Sequence, residues 1–543
     1  MLSRRDFVLS SSTVSLAACL PVLRRSSRTV DVVIRGGTVF DGSLAATGVE
    51  ADVALDGGRV VAIGRRLAEQ GKLEVEVKGL AVAPGFVDVH SHGDNTLFAD
   101  PNTESMIRQG VTTVVVGQDG SSRAPRTRAD EDSERESLRA FFDSVDQLPP
   151  AVNVASMVGL GTVRGAVVGN ENRPATPAEL ERMVALVEQS LVDGACGASS
   201  GLEYTPGAFA SLDELIALCK PLARRRLPYS THMRNEDDTL VESVDESIAV
   251  ARGAGCPLQI AHLKTQGPRN WPKLDTVFAR IAAARAAGVD AAFDRYPYLA
   301  YQTGLSNLFP VWARDGKPED FLRRIDETAT AARIRAYAEE KATLIGGWHN
   351  VQIASVSAPA DKPAEGMRLD DVATARGLPP YETAVALLKA NGGSVGMVGF
   401  AMSEENLERI LAHPLAMVCS DGGSFAISGP ARRGHPHPRG VGTFARVLAR
   451  YVRERKALSL GAAIHKMSGL AAQRLRLAGR GMLRVGGAGD VVVFDPATVA
   501  DRATFADPFQ YAVGINAVFV NGSMAFLDGQ RGGRTGRAIR VAG

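Results

Sequence analysis

Cysteine is scarce: five in 543 residues, with no C-x-x-C pair, so the chain offers neither a zinc knuckle nor a disulfide framework. An excess of charge of either sign is missing too. Lys and Arg number 62 against 60 Asp and Glu, which excludes the basic stripe of a nucleic-acid binder and a polybasic membrane surface. Beyond the first residues, no run reaches the ~18 uninterrupted apolar residues of a membrane span. What is present is length, 45% hydrophobic residues and 56 glycines, the make-up of a soluble α/β enzyme with many tight turns. One large catalytic domain accompanied by a smaller one is expected.

The N-terminus departs from this pattern. SRRDFVLSSSTVSLAAC places Arg4 and Arg5 before a modest apolar stretch and then small residues, the order of an export signal in its twin-arginine form. Residues 1–27 are set apart from the fold on this basis, and the chain is expected to be exported to the periplasm. LAAC, Leu16 to Cys19, has the form of a lipobox, which makes Cys19 a candidate lipid anchor. The other cysteines, Cys196, Cys219, Cys256 and Cys419, are widely spaced; Cys219 in a helical pattern and Cys419 in an apolar run read as core residues.

VDVVIRGGTVFDG, ADVALDGGRVVAIG and LEVEVKGLAVAPG are short alternating segments punctuated by Gly-Gly and Asp-Gly turns. A matching set, GMLRVGGAGDVVVFDP, GINAVFVNGSMAFLDGQ and GRAIRVAG, closes the chain. Two strand-rich ends around a different middle predict one small β-sandwich domain built from residues 28–80 and 478–543. The middle, 81–477, alternates apolar strand-like runs with helical patterns, which predicts a TIM-like (β/α)8 barrel of the α/β class. The rhythm breaks near 311–365, an expected insertion.

Nearly every strand-like run ends in a polar residue. GFVDVHSH ends in His90 and His92, VTTVVVGQDG in Asp119, YSTH in His232, LQIAH in His262 and LAMVCSD in Asp421. Residues two apart in a strand leave the same face, so His90 and His92 point together. The C-terminal strand ends of a (β/α)8 barrel form one rim, where these six side chains can converge. Four imidazoles and two carboxylates suit zinc, as one or two divalent ions, with manganese or iron also compatible. Such an ion lowers the pKa of a bound water and polarises a carbonyl. An aspartate at the barrel mouth can take the water's proton and pass it to a leaving nitrogen, and Asp421, followed by Gly422 and Gly423, suits that role. Export of a folded chain fits an enzyme that acquires metal before leaving the cytoplasm.

These residues resemble the pattern of the amidohydrolase superfamily. PGFVDVHSHGD, GASSGLEYTPG, THMRNE, AHLKTQG, DRYPY, SDGG and HPHPRGVGTFARVLARYVRE together look like its D-aminoacylase (N-acyl-D-amino-acid deacylase) branch, from about residue 30 onward. The resemblance implies metal-dependent hydrolysis of N-acyl-D-amino acids, small substrates with a free carboxylate. It also implies that His232 and His262 hold the tight metal, that His90 and His92 form a second, weaker site, and that Asp421 is the general acid/base. Lys264, Arg432 and a tyrosine of YPY, Tyr298, would face the substrate carboxylate. Where the family carries a metal-binding cysteine in GNCG, this chain reads GQDG, and the candidate ligand becomes Asp119. A carboxylate is harder than a thiolate and can bridge two ions, so weaker selectivity for zinc and a more even two-metal site are expected. A carboxylated lysine bridge is not expected, since Lys220 is the only lysine between Asp119 and His232; Glu203 is the reserve candidate.

Arg295, before YPY, is a candidate for favouring an acidic side chain. His349, His413 and His465 read as incidental, and His435 and His437 as part of a Gly/Pro-rich rim segment that touches substrate rather than metal. Two other readings stay open: a dipeptidase or cyclic-amide hydrolase of the same superfamily, and an exported barrel that binds metal without catalysis.

Overall fold

The computed structural model describes residues 28–44, 47–125 and 136–541. The export signal and Cys19 lie outside the described residues.

Eight parallel strands form a closed barrel. In ring order they are Phe86–Asp88, Val111–Val116, Asn153–Ser156 with its continuation Val158–Gly159, Ala198–Gly201, Tyr229–His232, Leu258–Ile260, Ala291–Arg295 and Ala416–Val418. Val111–Val116 reads VTTVVV and is buried throughout, as β-branched residues in a strand covered on both faces should be. Helices between the strands start where local chemistry satisfies their first amides. Pro177–Val192 opens on a capping box of Thr176 and Glu179 with Pro177 in its first turn, and Leu212–Arg225 is capped by Ser211. Cys196, Cys219, Cys256 and Cys419 are all buried and unpaired.

The first and last strands meet just beyond their C-terminal ends. Ser91 and Gly422 form a parallel bridge, Asp421 N donates to His90 O at 2.8 Å, and His92 N donates to Gly422 O at 2.9 Å. Asp88 accepts from Ser420 N at 2.8 Å and from the Ser420 hydroxyl. Three of the residues expected to bind metal, His90, His92 and Asp421, thus sit on the join of the ring.

Two placements differ from the sequence pattern. Gly396–Phe400, which has the look of a barrel strand, pairs instead with Ala300–Gly304 and Val351–Ser355 in a small antiparallel sheet. The excursion between the seventh and eighth barrel strands therefore reaches well beyond 311–365, because its flanks carry the same strand-and-helix alternation as the barrel. Ala81–Pro84, expected at the barrel's start, pairs with Thr29–Val39 and Val491–Phe494. It joins the two chain ends within one continuous nine-stranded sheet, and the barrel proper begins at Phe86. The sheet covers its own core of Val32, Ile34, Val53, Val82, Val491 and Phe519.

Candidate metal and active site

All six expected ligands converge at the C-terminal end of the barrel. Asp119 stands at their centre: its Oδ1 is 3.4 Å from His90 Nε2 and 3.4 Å from His262 Nε2, and its Oδ2 is 3.4 Å from His92 Nε2 and 3.8 Å from His232 Nδ1. Asp421 Oδ1 lies 3.2 Å from His92 Nε2 and 3.5 Å from His90 Nε2. Ligand atoms of His90, Asp119, His262 and Asp421 all fall within 4.8 Å of one another.

The backbone is bent to deliver them. Asp119, His262 and Asp421 each follow a strand end with φ of 51°, 34° and 49°, a left-handed conformation that non-glycine residues adopt at a cost. Asp119 lies in a turn whose glycines are obligatory: Gly117 and Gly120 take φ of 75°, and a Cβ on Gly117 would stand 2.1 Å from Met157 O.

Three observations say that this cluster fits a divalent cation. His90 Nδ1, His90 Nε2 and Asp119 Oδ1 are buried and make no hydrogen bond, a costly state unless another partner fills it. The electrostatics also call for positive charge. Burial opposes a proton on His92 and on His232, yet Asp119 and Asp421 push the first up to about 10, and Glu236, Asp119 and Glu203 push the second up to about 10. Burial would raise Asp119 and Asp421, but His90 and His262 hold the first well below the usual carboxylate range, and Arg439 and His262 do the same for the second. Finally, three of the four imidazoles, His232, His262 and His90, have a carboxylate behind them, as metal-binding histidines usually do. Glu203 is 3.2 Å from His232 Nε2, Glu236 is 3.2 Å from His262 Nδ1, and Asp294 is 3.8 Å from His90 Nδ1. This puts Glu203 behind His232, on the nitrogen that faces away from Asp119, where it orients the ring and does not bridge.

His232, Glu236 and His262 form a second group with metal-like spacing. A cation already occupies it. Lys264 Nζ donates to both Glu236 oxygens, at 2.6 and 2.7 Å, and lies 2.6 Å from His262 Nδ1.

A cavity of about 680 Å³ opens over the cluster. Lys264 lines it, but it is paired with both Glu236 oxygens, so it reaches the substrate side only as a buried charge. Tyr298, Arg432 and Arg295 do not line it. Pro297 separates two tyrosines with opposite destinations: Tyr296 faces the cavity, whereas Tyr298 turns away, with Arg446 4.7 Å above its ring. Arg432 stacks on Phe509 at 4.5 Å. Arg295 is buried behind Tyr296, 4.2 Å from its ring centre, and donates to Tyr298 O at 2.9 Å. It therefore cannot meet a substrate side chain directly. The arginine beside Asp421 is Arg439, in the HPHPRG segment, whose NH1 donates to Asp421 Oδ2 at 2.6 Å. His437 lines the cavity, but its ring is spent on the backbone: Nε2 is 2.9 Å from Ala300 O, and Nδ1 accepts from Arg439 N at 3.0 Å. His435 Nε2 bonds Phe505 O at 2.7 Å, and neither histidine belongs to the ligand cluster.

Comparison with known proteins decides the family. A D-aminoacylase of Alcaligenes xylosoxydans xylosoxydans is 36% identical over 523 residues, 94% of this chain and 98% of the relative. The chain belongs to the D-aminoacylase family. A model of the amidohydrolase family also matches residues 407–526, the stretch that carries Asp421 and Arg439. An N-acyl-D-aspartate deacylase of the same organism is 36% identical over 515 residues, 93% of each chain. Among solved structures, the N-acyl-D-glutamate deacylase of Bordetella bronchiseptica, complexed with zinc and a phosphonate mimic of the tetrahedral intermediate, superposes with a TM-score of 0.81 at 34% identity, covering 94% of this chain and all of that one. Within this D-aminoacylase-family barrel, Arg439, Glu236 and Tyr296 were not singled out by sequence reasoning. Glu236 had a signal, four residues after His232 in THMRNE; Arg439 and Arg432 share one loop, and only the packing separates them.

Proposed function

We propose that the chain hydrolyses the amide of N-acyl-D-amino acids, releasing a carboxylate and a D-amino acid, with a divalent metal held by His90, His92, Asp119, His232, His262 and Asp421. The observation that carries this reading is the convergence of four imidazoles and two carboxylates beside a cluster of uncommitted donors. Zinc is the first candidate, given the nitrogen-rich set, and the carboxylate at Asp119 admits manganese as well. When bound, the ion supplies a Lewis acid for the amide carbonyl and lowers the pKa of water.

The remaining work falls to the protein. Tyr296 Oη and Arg439 Nε are buried without hydrogen-bond partners and belong to residues that line the cavity. Arg295, Arg439 and Lys264 surround the Tyr296 ring at 4.2, 4.8 and 5.9 Å. A carboxylate entering this corner meets two unpaired donors and three positive charges, which orients the substrate. Asp421 takes a proton as water attacks the carbonyl carbon and returns it to the nitrogen as the C–N bond breaks. Glu203 and Glu236 hold His232 and His262 in place throughout. The twin-arginine leader supports a site of action outside the cytoplasm.

The test is a panel of N-acetyl-D- and N-acetyl-L-amino acids given to protein of known metal content. Hydrolysis confined to D substrates and lost on chelation is expected. A metal-loaded protein that cleaves none of them, or only L forms, would refute the proposal.

A further inference from the structure

The cavity carries one charge that nothing answers. His92, His232 and His262 face Asp119; Glu203 faces His232; Glu236 is bound by Lys264; Asp421 is bound by Arg439. Arg433 also lines the cavity, and among the described residues it has no carboxylate partner. Its Nε donates to Pro430 O at 2.8 Å, which fixes the guanidinium plane and leaves both terminal nitrogens free of protein acceptors.

The segment bearing Arg433 is docked rather than loose. His435 N donates to Ala354 O at 2.6 Å, His437 N donates to Gln302 Oε1 at 2.9 Å, and a Cβ on Gly434 would stand 2.6 Å from Ala354 O. Arg433 is itself exposed, and it stands on the cavity mouth next to this docked stretch, six residues before Arg439 on the same loop.

The lining also lacks aliphatic side chains. Among the described residues no leucine, isoleucine, valine or methionine contributes to it; Pro206, Phe425 and the rings of Tyr204, Tyr296 and Tyr301 are the only large apolar faces. A second anion would find an unpaired fork of donors here.

Building on the deacylase reading above, we propose that Arg433 is a specificity-determining residue that pairs with a carboxylate on the amino-acid side chain, so that N-acyl-D-glutamate or N-acyl-D-aspartate is preferred over aliphatic N-acyl-D-amino acids. The side chain, rather than the acyl group, is assigned because Arg439, which orients the α-carboxylate, lies on the same loop.

The experiment compares kcat/KM for N-acetyl-D-glutamate, its neutral isostere N-acetyl-D-glutamine, N-acetyl-D-leucine and N-succinyl-D-alanine in wild type, Arg433→Gln and Arg433→Lys. The glutamate-to-glutamine ratio is expected to exceed ten in wild type, to fall at least tenfold in Arg433→Gln chiefly through KM, and to be largely kept in Arg433→Lys. A ratio unmoved by Arg433→Gln, or N-acetyl-D-leucine cleaved as well as N-acetyl-D-glutamate, overturns the assignment. A preference that follows the succinyl carboxylate overturns its placement on the side chain. No hydrolysis of any substrate overturns the deacylase reading itself and this inference with it.

Discussion

Metal binding to the cluster should expel protons, and the structure says roughly how many. Four imidazoles can ligate only as neutral rings, but two of them, His92 and His232, have pKa values pushed up to about 10 by the carboxylates around them. A group with a pKa near 10 is about 99% protonated at pH 8, so binding should displace about two protons or more, since the carboxylates around His262 raise that ring as well. The displacement opposes binding. At His232, whose side chain is only 6% exposed, three pH units between pH 7 and a pKa of about 10 correspond to about 4 kcal/mol. The cost is smaller at His92, which is 29% exposed and better screened. Affinity should therefore climb with pH, by about two decades per unit between pH 6 and 9, and flatten above 10. Calorimetric titration of metal-free protein with zinc or manganese, in two buffers of different ionisation enthalpy, reads the proton count directly. Asp119→Asn removes the carboxylate that raises both groups and should lower the count along with the affinity. Release of less than one proton in the wild type would refute the electrostatic picture, and with it the argument that the carboxylates prepare the site for a cation.

Other outcomes follow from single contacts. Asp421→Asn keeps size and a ligating oxygen but removes the base, so turnover should drop on the order of a hundredfold or more while metal content stays near the wild-type value; near-normal turnover would strip Asp421 of its role. Glu203→Gln should weaken metal binding roughly tenfold or more by freeing the His232 ring, measured by competition with a chromophoric chelator, and an unchanged affinity would make Glu203 a bystander. Lys466, buried beneath the last barrel strand with only His413 O and Ala416 O as acceptors, is pushed down to about 8 by burial. Its unfolded counterpart titrates near 10.5, so the unfolded chain binds more protons between pH 8 and 10.5 and stability should rise across that window by up to about 3 kcal/mol. Denaturation of wild type and Lys466→Met at both ends of the window tests this, since only the wild type should show the gain.

The ligand set was legible in the sequence because barrel strands deliver their last residues to one rim, and H-x-H on a strand leaves one face by geometry alone. The substrate side was not. Tyr296 and Tyr298 are chemically equal in DRYPY, and which one faces the cavity depends on the turn at Pro297 and on Arg446 across the barrel. Arg432, Arg433 and Arg439 lie within eight residues of one loop; Phe509, open solvent and Asp421 claim them in turn, and each claimant is distant in sequence or absent from it. Glu203 could be named as a nearby acid, but only the orientation of His232 reveals which nitrogen it serves. Gly396–Phe400 carries a barrel-strand pattern because a buried antiparallel strand and a buried parallel one have the same apolar run.

The ring closes through Asp88 and Ser420, 332 positions apart, and through His90 and Asp421, which belong to the proposed metal site. An ion shared by His90 and Asp421 would act as a clasp across that join and would add its binding free energy to the closed form alone. A chain still lacking its last barrel strand would keep five of the six proposed ligands and lose Asp421, the proposed base. The proposed base therefore arrives with the element that closes the ring, and a chain without that element would hold an ion with no group to move the proton.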